Sequence, residues 1–520
     1  MELSQDYRVR GLPAMGKGLR GIMQAPVGGW NTRDAESNMS PEFALQLDNF
    51  FPELGRVTTR RGFVPHVTEL PTGNVGTLFN WRSGTNSKLF AAAGNGIYDV
   101  SGAGPAGGAI VSGLTDVRWR GANFGRNGIL VNGVDDPLRI DADGNWTPHG
   151  FEGEGLTPSR LFQVLPFKHR LFFAEKGTPN IWYAGIDAVR GPLEKIDLSL
   201  VHGQGGNILA LGTLTLDGGD GPDDMLAIFT ESGDVLVYSG LDPSDASAWS
   251  ITGRFHVGRV VGDTPLVDLG ADLIAITQDG YIPLLQFLKY GRARRQLALS
   301  DTISEAATEQ IRNRGNDPGW GGILYPKANW LLFNVPISGN RAIQHVMNSQ
   351  TGAWCRFTGM DAQCWENFND GLYFGTSDGR VMQADQGTAD AGEPVAAELR
   401  TAYNFLRSPY DKRITALRSH LESGGGSSVS IGANMDFNLS PIDPIGLPSQ
   451  ESGTPWDIGE WDSFQWGAGA VRYAGWRLVN LYGSAISIQI AALSSGDQVS
   501  FFSSDVLYDQ SKGSVLSPQA

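Results

Sequence analysis

Three features of this sequence predict an all-β fold. Glycine supplies 69 of 520 residues, well above the usual share of about 7%, and it follows no G-X-Y period. A hairpin theme, strand–turn–strand, recurs from residue 75 to residue 385. Beyond residue 387 the pattern changes to longer runs of alternating apolar and polar residues.

The hairpins carry the first domain. Copies begin at "KLFAAAGNGIYDVSG" (Lys88), "GILVNGVDDPLRIDADG" (Gly128) and "RLFFAEKGTPNIWYAG" (Arg170). Others follow at "MLAIFTESGDVLVYSG" (Met225), "LIAITQDGYIPLLQF" (Leu273), "WLLFNVPISGNRAIQHVMN" (Trp330) and "GLYFGTSDGRVMQAD" (Gly371). Each turn holds Gly, Asn or Asp, the residues that tolerate positive φ. A spacing of roughly 40–50 residues is that of propeller blades, whose faces are buried only against neighbouring blades. Residues 75–387 are therefore expected to form a divergent β-propeller of about seven blades. One or two β-sandwiches are the alternative, and residues 192–221 fit no blade.

A helix interrupts the theme. In "SDTISEAATEQIRNR", residues 300–314, Ser300 is the expected N-cap, and Ile303, Ala306, Ala307 and Ile311 share one face. Such an insert packs on the rim, meets a partner, or packs within its own domain. Residues 1–74 read as an N-terminal arm and entry segment, and residues 388–520 as an antiparallel β-sandwich with a long polar loop at 438–461.

Chemistry is sparse. The seven histidines form no HxxxH or HExxH pair, and Cys355 and Cys364 make no metal spacing or disulfide framework. No Walker A loop occurs, and no catalytic residue, cofactor or metal is assigned. The acidic turns at 141–145 and 217–224 could hold calcium, but 217–224 lacks the later glutamate of an EF-hand, and acidic solvated loops are common in a chain this charged. A charge of −15 argues against binding nucleic acid by phosphate neutralisation, while leaving open a conduit to which DNA does not stick. No stretch has transmembrane length, and no signal peptide is expected. Two basic clusters stand out: Arg56, Arg60 and Arg61, and Arg292, Arg294 and Arg295. They are candidate interface or channel contacts, or else solvated turns.

Residues 28–63, "GGWNTRDAESNMSPEFALQLDNFFPELGRVTTRRGF", resemble the N-terminal signature of the tail nozzle proteins of short-tailed bacteriophages. The resemblance rests on Gly28, Gly29, Asn31, Asp34, Pro41, Asn49 and the Arg60, Arg61, Gly62 run. Arg61 stands where the family has proline, a departure from the pattern. The layout of nearly the whole chain is also similar. The resemblance implies a non-enzymatic virion protein, made in the host cytoplasm and built into the tail. It implies a homohexameric ring that contacts the head-to-tail adaptor and tail fibres or tailspikes, with DNA retained and then ejected through its channel. A related plug-like DNA-stabilisation protein is a variant of the same reading. From other classes, a polysaccharide-degrading propeller enzyme would need facing carboxylates and exposed aromatics, and a generic protein-binding propeller would be monomeric.

Overall fold

The computed structural model describes residues 18–71, 73–199, 201, 205–217, 222–245, 247–270, 272–286, 298–423, 427–438 and 471–510. Five small sheets of three to five strands, antiparallel apart from the short edge strand Phe151–Glu152, follow one another along the chain, from the strand Val75–Ser83 to the strand Gly280–Pro283. Separate apolar cores lie between neighbours: Phe79, Trp81, Trp119 and Leu130 join the first blade to the second, and Val131, Val164, Phe173 and Trp182 join the second to the third. Middle strands are therefore covered on both faces, and Arg170–Glu175 and Leu273–Thr277 are buried along their whole length. The outer strand Trp249–His256 alternates instead, with one face in water.

The expected count of about seven separate blades is corrected to five. The hairpins at Trp330 and Gly371 are built into a 15-stranded sheet that completes the ring. The reason lies at the N-terminus. Trp354–Phe357 does not end its sheet, because Gly29–Trp30 and Phe43–Asp48 add to it in parallel and lead on to Glu393–Thr401. Likewise Val381–Ala384 pairs with the N-terminal strand Phe63–Thr68. Residues 192–221, which fitted no blade, end the third blade with Gly191–Asp197 and open the fourth with Ile208–Asp217.

The helix Ser304–Arg314 exists, but Ser300 does not cap it. A 3₁₀ turn, Leu299–Ile303, precedes it, and Ser300 is buried there with its Oγ accepting a hydrogen bond from the Tyr281 N–H at 3.1 Å. Ala307 and Ile311 point into the core beside Val261 and Trp320, so the helix packs on its own ring. No helix among the described residues is long and apolar enough to cross a membrane.

The C-terminal unit is two facing sheets. One pairs Lys412–Ser423 with Val499–Gln510, flanked by Leu19–Gln24, Arg56–Thr59 and Arg477–Gly483. The other runs through Ser428–Met435, Ile486–Ser494 and Glu393–Thr401. Leu417, Leu421 and Val506 from one sheet meet Leu399, Ile488 and Ile490 from the other in a single core. The N-terminal segment thus contributes strands to both ring and sandwich. Apart from Asn438, the loop expected at 438–461 lies outside the described residues.

Candidate functional site

Two places gather polar side chains with defined geometry: the ring axis and the joint between ring and sandwich. At the axis the ring encloses a cavity of about 520 Å³. The first strand of each blade faces it, as do Gly321–Tyr325 and Ala362–Phe368 of the large sheet. Register shifts at Val75/Thr77, Leu161/Gln163, Ile208/Ala210 and Ala362/Cys364 put a bulge near the start of four of these strands. A bulge re-aims side chains and frees backbone groups, and here the freed groups bond between blades. Thr77 Oγ1 donates to Val117 O at 2.8 Å and accepts from Trp119 N at 2.7 Å. Gln163 Nε2 donates to Leu211 O at 2.7 Å, and its Oε1 accepts from Leu211 N at 2.8 Å.

Charge closes this cavity further. Arg118 Nη1 donates to Asp263 Oδ2 at 2.9 Å, linking the second blade to the segment entering the fifth. Glu366 lines the same cavity, half-buried, and burial pushes its carboxyl up to about 7 against the opposing backbone N–H of Asn367 and the charge of Arg82. Its carboxyl therefore exchanges its proton around neutral pH.

The joint holds the signature segment. Gly29 has φ +87°, and a Cβ there would lie 2.5 Å from the Trp354 nitrogen, so only glycine fits against that strand. Asn31 Oδ1 accepts from the Arg33 and Asp34 N–H groups at 2.9 and 3.0 Å, while its Nδ2 donates to Asp34 Oδ2. This turn lets Arg33 pair with Asp301 at the foot of the helix. Asn49 Nδ2 donates to Ala396 O at 2.7 Å and to Thr358 Oγ1 at 2.8 Å, so one side chain spans sandwich and ring.

Arg60 is the centre of the joint. Its side chain is fully buried, and all five N–H donors are engaged. Nε donates to Asn49 Oδ1, Nη1 to Arg61 O and Asp390 Oδ1, and Nη2 to Thr358 O and Asp390 Oδ2, at 2.6–2.9 Å. It has no donor left for a neighbouring subunit or for DNA. The Arg56 side chain is 42% exposed and pairs with Glu53 at 2.6 Å. Arg61 is exposed too and lines, with Arg56, an outer groove that also takes in Lys327 and Asp385. None of the three lines the axial cavity. Arg292, Arg294 and Arg295 lie outside the described residues, as do residues 218–221 of the acidic turn. The described residues contain no group of three or more His, Cys, Asp or Glu arranged to hold a metal.

Sequence reading missed Arg118, Arg120, Asp263 and Glu366, since they come from blades far apart in the chain. The signal available was positional: Thr77, Arg120, Gln163, Thr264 and Gln363 are polar residues in or beside the strand that precedes each hairpin.

No family model matches the chain, and no curated protein matches it. Solved structures do. PorZ, an essential bacterial surface component of the type-IX secretion system of Porphyromonas gingivalis, is 13% identical with a TM-score of 0.37; the match covers 65% of this chain and 42% of PorZ's length. The Cps50 (Swd1) β-propeller domain of Myceliophteria thermophila is 13% identical over 63% of this chain and 99% of that domain, with a TM-score of 0.39. An exo-β-1,3-galactanase from Phanerochaete chrysosporium is 8% identical over 75% of this chain and 95% of that chain, with a TM-score of 0.24. Likenesses this distant transfer no function, and the propeller-like ring rests on the blades themselves.

Proposed function

We propose that this chain is a structural subunit of a short-tailed bacteriophage tail, a nozzle-type building block that works as a ring of copies through which the genome is retained and then ejected. The observation that carries the reading is the use made of residues 28–63. Gly29, Asn31, Asn49 and Arg60 tie ring, helix and sandwich together through buried contacts. A segment of this kind suits a part that must transmit load without yielding. The axial cavity supports a corollary. At about 520 Å³ and crossed by the Arg118–Asp263 pair, it cannot admit a duplex whose major groove alone is about 12 Å wide. The DNA path therefore runs between copies, in a homohexamer that meets the adaptor above and fibres or tailspikes at its side. The net charge of −15 keeps DNA from adhering to such a lumen. Imaging of the purified protein, alone and with a portal–adaptor complex, tests this: rings support it, and a monomer that ignores the complex refutes it.

A polysaccharide-cleaving enzyme is the second reading, favoured by Glu366, whose proton is held to about pH 7 in a cavity that also takes in Asp263 and Asp268. Against it, Trp182 and Trp330 are buried in the core and offer no face to a sugar. Release of reducing ends from host polysaccharide, lost in Glu366→Gln, would support the enzyme.

A further inference from the structure

Between the helix Ser304–Arg314 and the adjoining ring face lies a groove of about 840 Å³. We propose that this groove is an anion-binding site for a ligand bearing a phosphate or carboxylate group, with the Arg120 guanidinium as its floor and Lys176 and Arg312 on its walls. The inference goes beyond the tail reading and does not rest on it.

The first observation is an uncompensated cation. Arg120 is half-buried at the wall shared by the groove and the axial cavity. Its guanidinium lies 5.1 Å from the Phe162 ring centroid, and its Nη1 donates to the neutral Gln163 Oε1 at 3.1 Å. Asp263, which also lines the groove, is committed to Arg118 at 2.9 Å, and Arg120 forms no ion pair among the described residues. A desolvated charge without a counter-charge is unfavourable. In keeping with this, burial pulls the Arg120 guanidinium down to about 10, only partly offset by Asp263, and it still carries its charge at neutral pH.

The second observation is the charge balance of the lining. Glu231 and Asp317 face Arg259 and Arg314 at 4.0 and 3.2 Å. The cations Arg120, Lys176 and Arg312 form no ion pair among the described residues, against Asp279 as the carboxylate in the same position. In a chain of charge −15, a groove lined by as many cations (Arg120, Lys176, Arg259, Arg312) as carboxylates (Glu231, Asp263, Asp279, Asp317), with three of the carboxylates already in ion pairs, is set apart from its surroundings. Arginine's planar fork, half-exposed and stacked on a ring, matches carboxylate or phosphate oxygens bidentately.

The test uses the full chain in a low-salt buffer. Thermal denaturation and calorimetric titration are run with inorganic phosphate, with citrate, and with sodium chloride at matched ionic strength. Phosphate or citrate is expected to raise Tm beyond chloride and to bind with one site per chain, and whichever acts identifies the ligand's head group. Arg120→Met should lose that stabilisation at least tenfold in affinity, with an anion-free Tm no lower than wild type, because the unpaired charge is gone. The exposed double substitution Lys176→Gln, Arg312→Gln should weaken binding without altering folding. An anion effect no larger than chloride's, or binding unchanged in both variants, would overturn the proposal.

Discussion

Replacing Arg60 by methionine should be the most damaging single change to an arginine in this chain. The side chain is fully buried and Asp390 is 14% exposed, so the substitution leaves a carboxylate with little water and no cation. Breaking a buried pair by removing one partner costs about 3–5 kcal/mol. Two carbonyls, Arg61 O and Thr358 O, also lose a donor, whereas Asn49 Oδ1 still accepts from Thr358 N at 2.9 Å. The residual exposure of Asp390 lets it recover some hydration or take up a proton, which sets the expectation at the lower end, about 3 kcal/mol. Urea denaturation followed by tryptophan fluorescence reads this directly. Arg56→Ala and Arg61→Ala serve as controls, each expected within about 0.5 kcal/mol since exposed pairs contribute little. Arg60→Lys should recover only part, because an ammonium cannot reproduce the fork. Arg60→Met combined with Asp390→Leu should be less damaging than Arg60→Met alone. A loss in Arg60→Met no larger than in Arg56→Ala would refute the view that this residue welds ring to sandwich.

Further expectations follow from the same contacts. In Gly62→Ala the new Cβ would lie 1.9 Å from Ala389 O, so the variant should express mainly insoluble protein, while the open position Gly55→Ala stays soluble despite its φ of +79°. Burial raises Glu366 from 4.5 to about 7, so the folded state binds that proton more tightly than the unfolded chain. Its contribution is full below the unfolded value and declines as pH rises to about 7; Glu366→Gln should flatten the wild-type slope of stability across that window. Cys355 is buried with its thiol pushed well up by burial, and Cys364 is pushed up to about 12 by the same cause. Neither should react with iodoacetamide in the native protein at neutral pH, and both should react in urea.

The sequence foretold the blades and hid their closure. Hairpins such as those at Arg170 and Leu273 are local, with turn chemistry and apolar runs in one window, and they formed where the pattern put them. Long-range pairing left no local trace. Nothing in "GGW" announces a strand that adds to Trp354–Phe357, and nothing in "GFVPHVT" announces pairing with Val381–Ala384. For that reason five separate blades were found where about seven were expected. Ser300 shows the same limit: a good capping residue by type, it was drawn inward to bond the Tyr281 N–H, a partner 19 positions away. Arg60 looked like a surface cation because basic turns usually are, and only the distant Asp390 and Thr358 reveal it as internal. The axial residues were invisible for a related reason, since Arg118 and Asp263 are 145 positions apart.

In the proposed tail role, copies of this chain, rather than the small axial cavity of one copy, surround the path of DNA. Single-particle imaging of the full-length protein bound to a portal–adaptor complex tests it most directly. The expected result is a sixfold ring whose lumen is bounded by several copies, with each axial cavity closed by its Arg118–Asp263 pair. A monomer that never joins the complex, or DNA density threading the axis of a single ring, would contradict it.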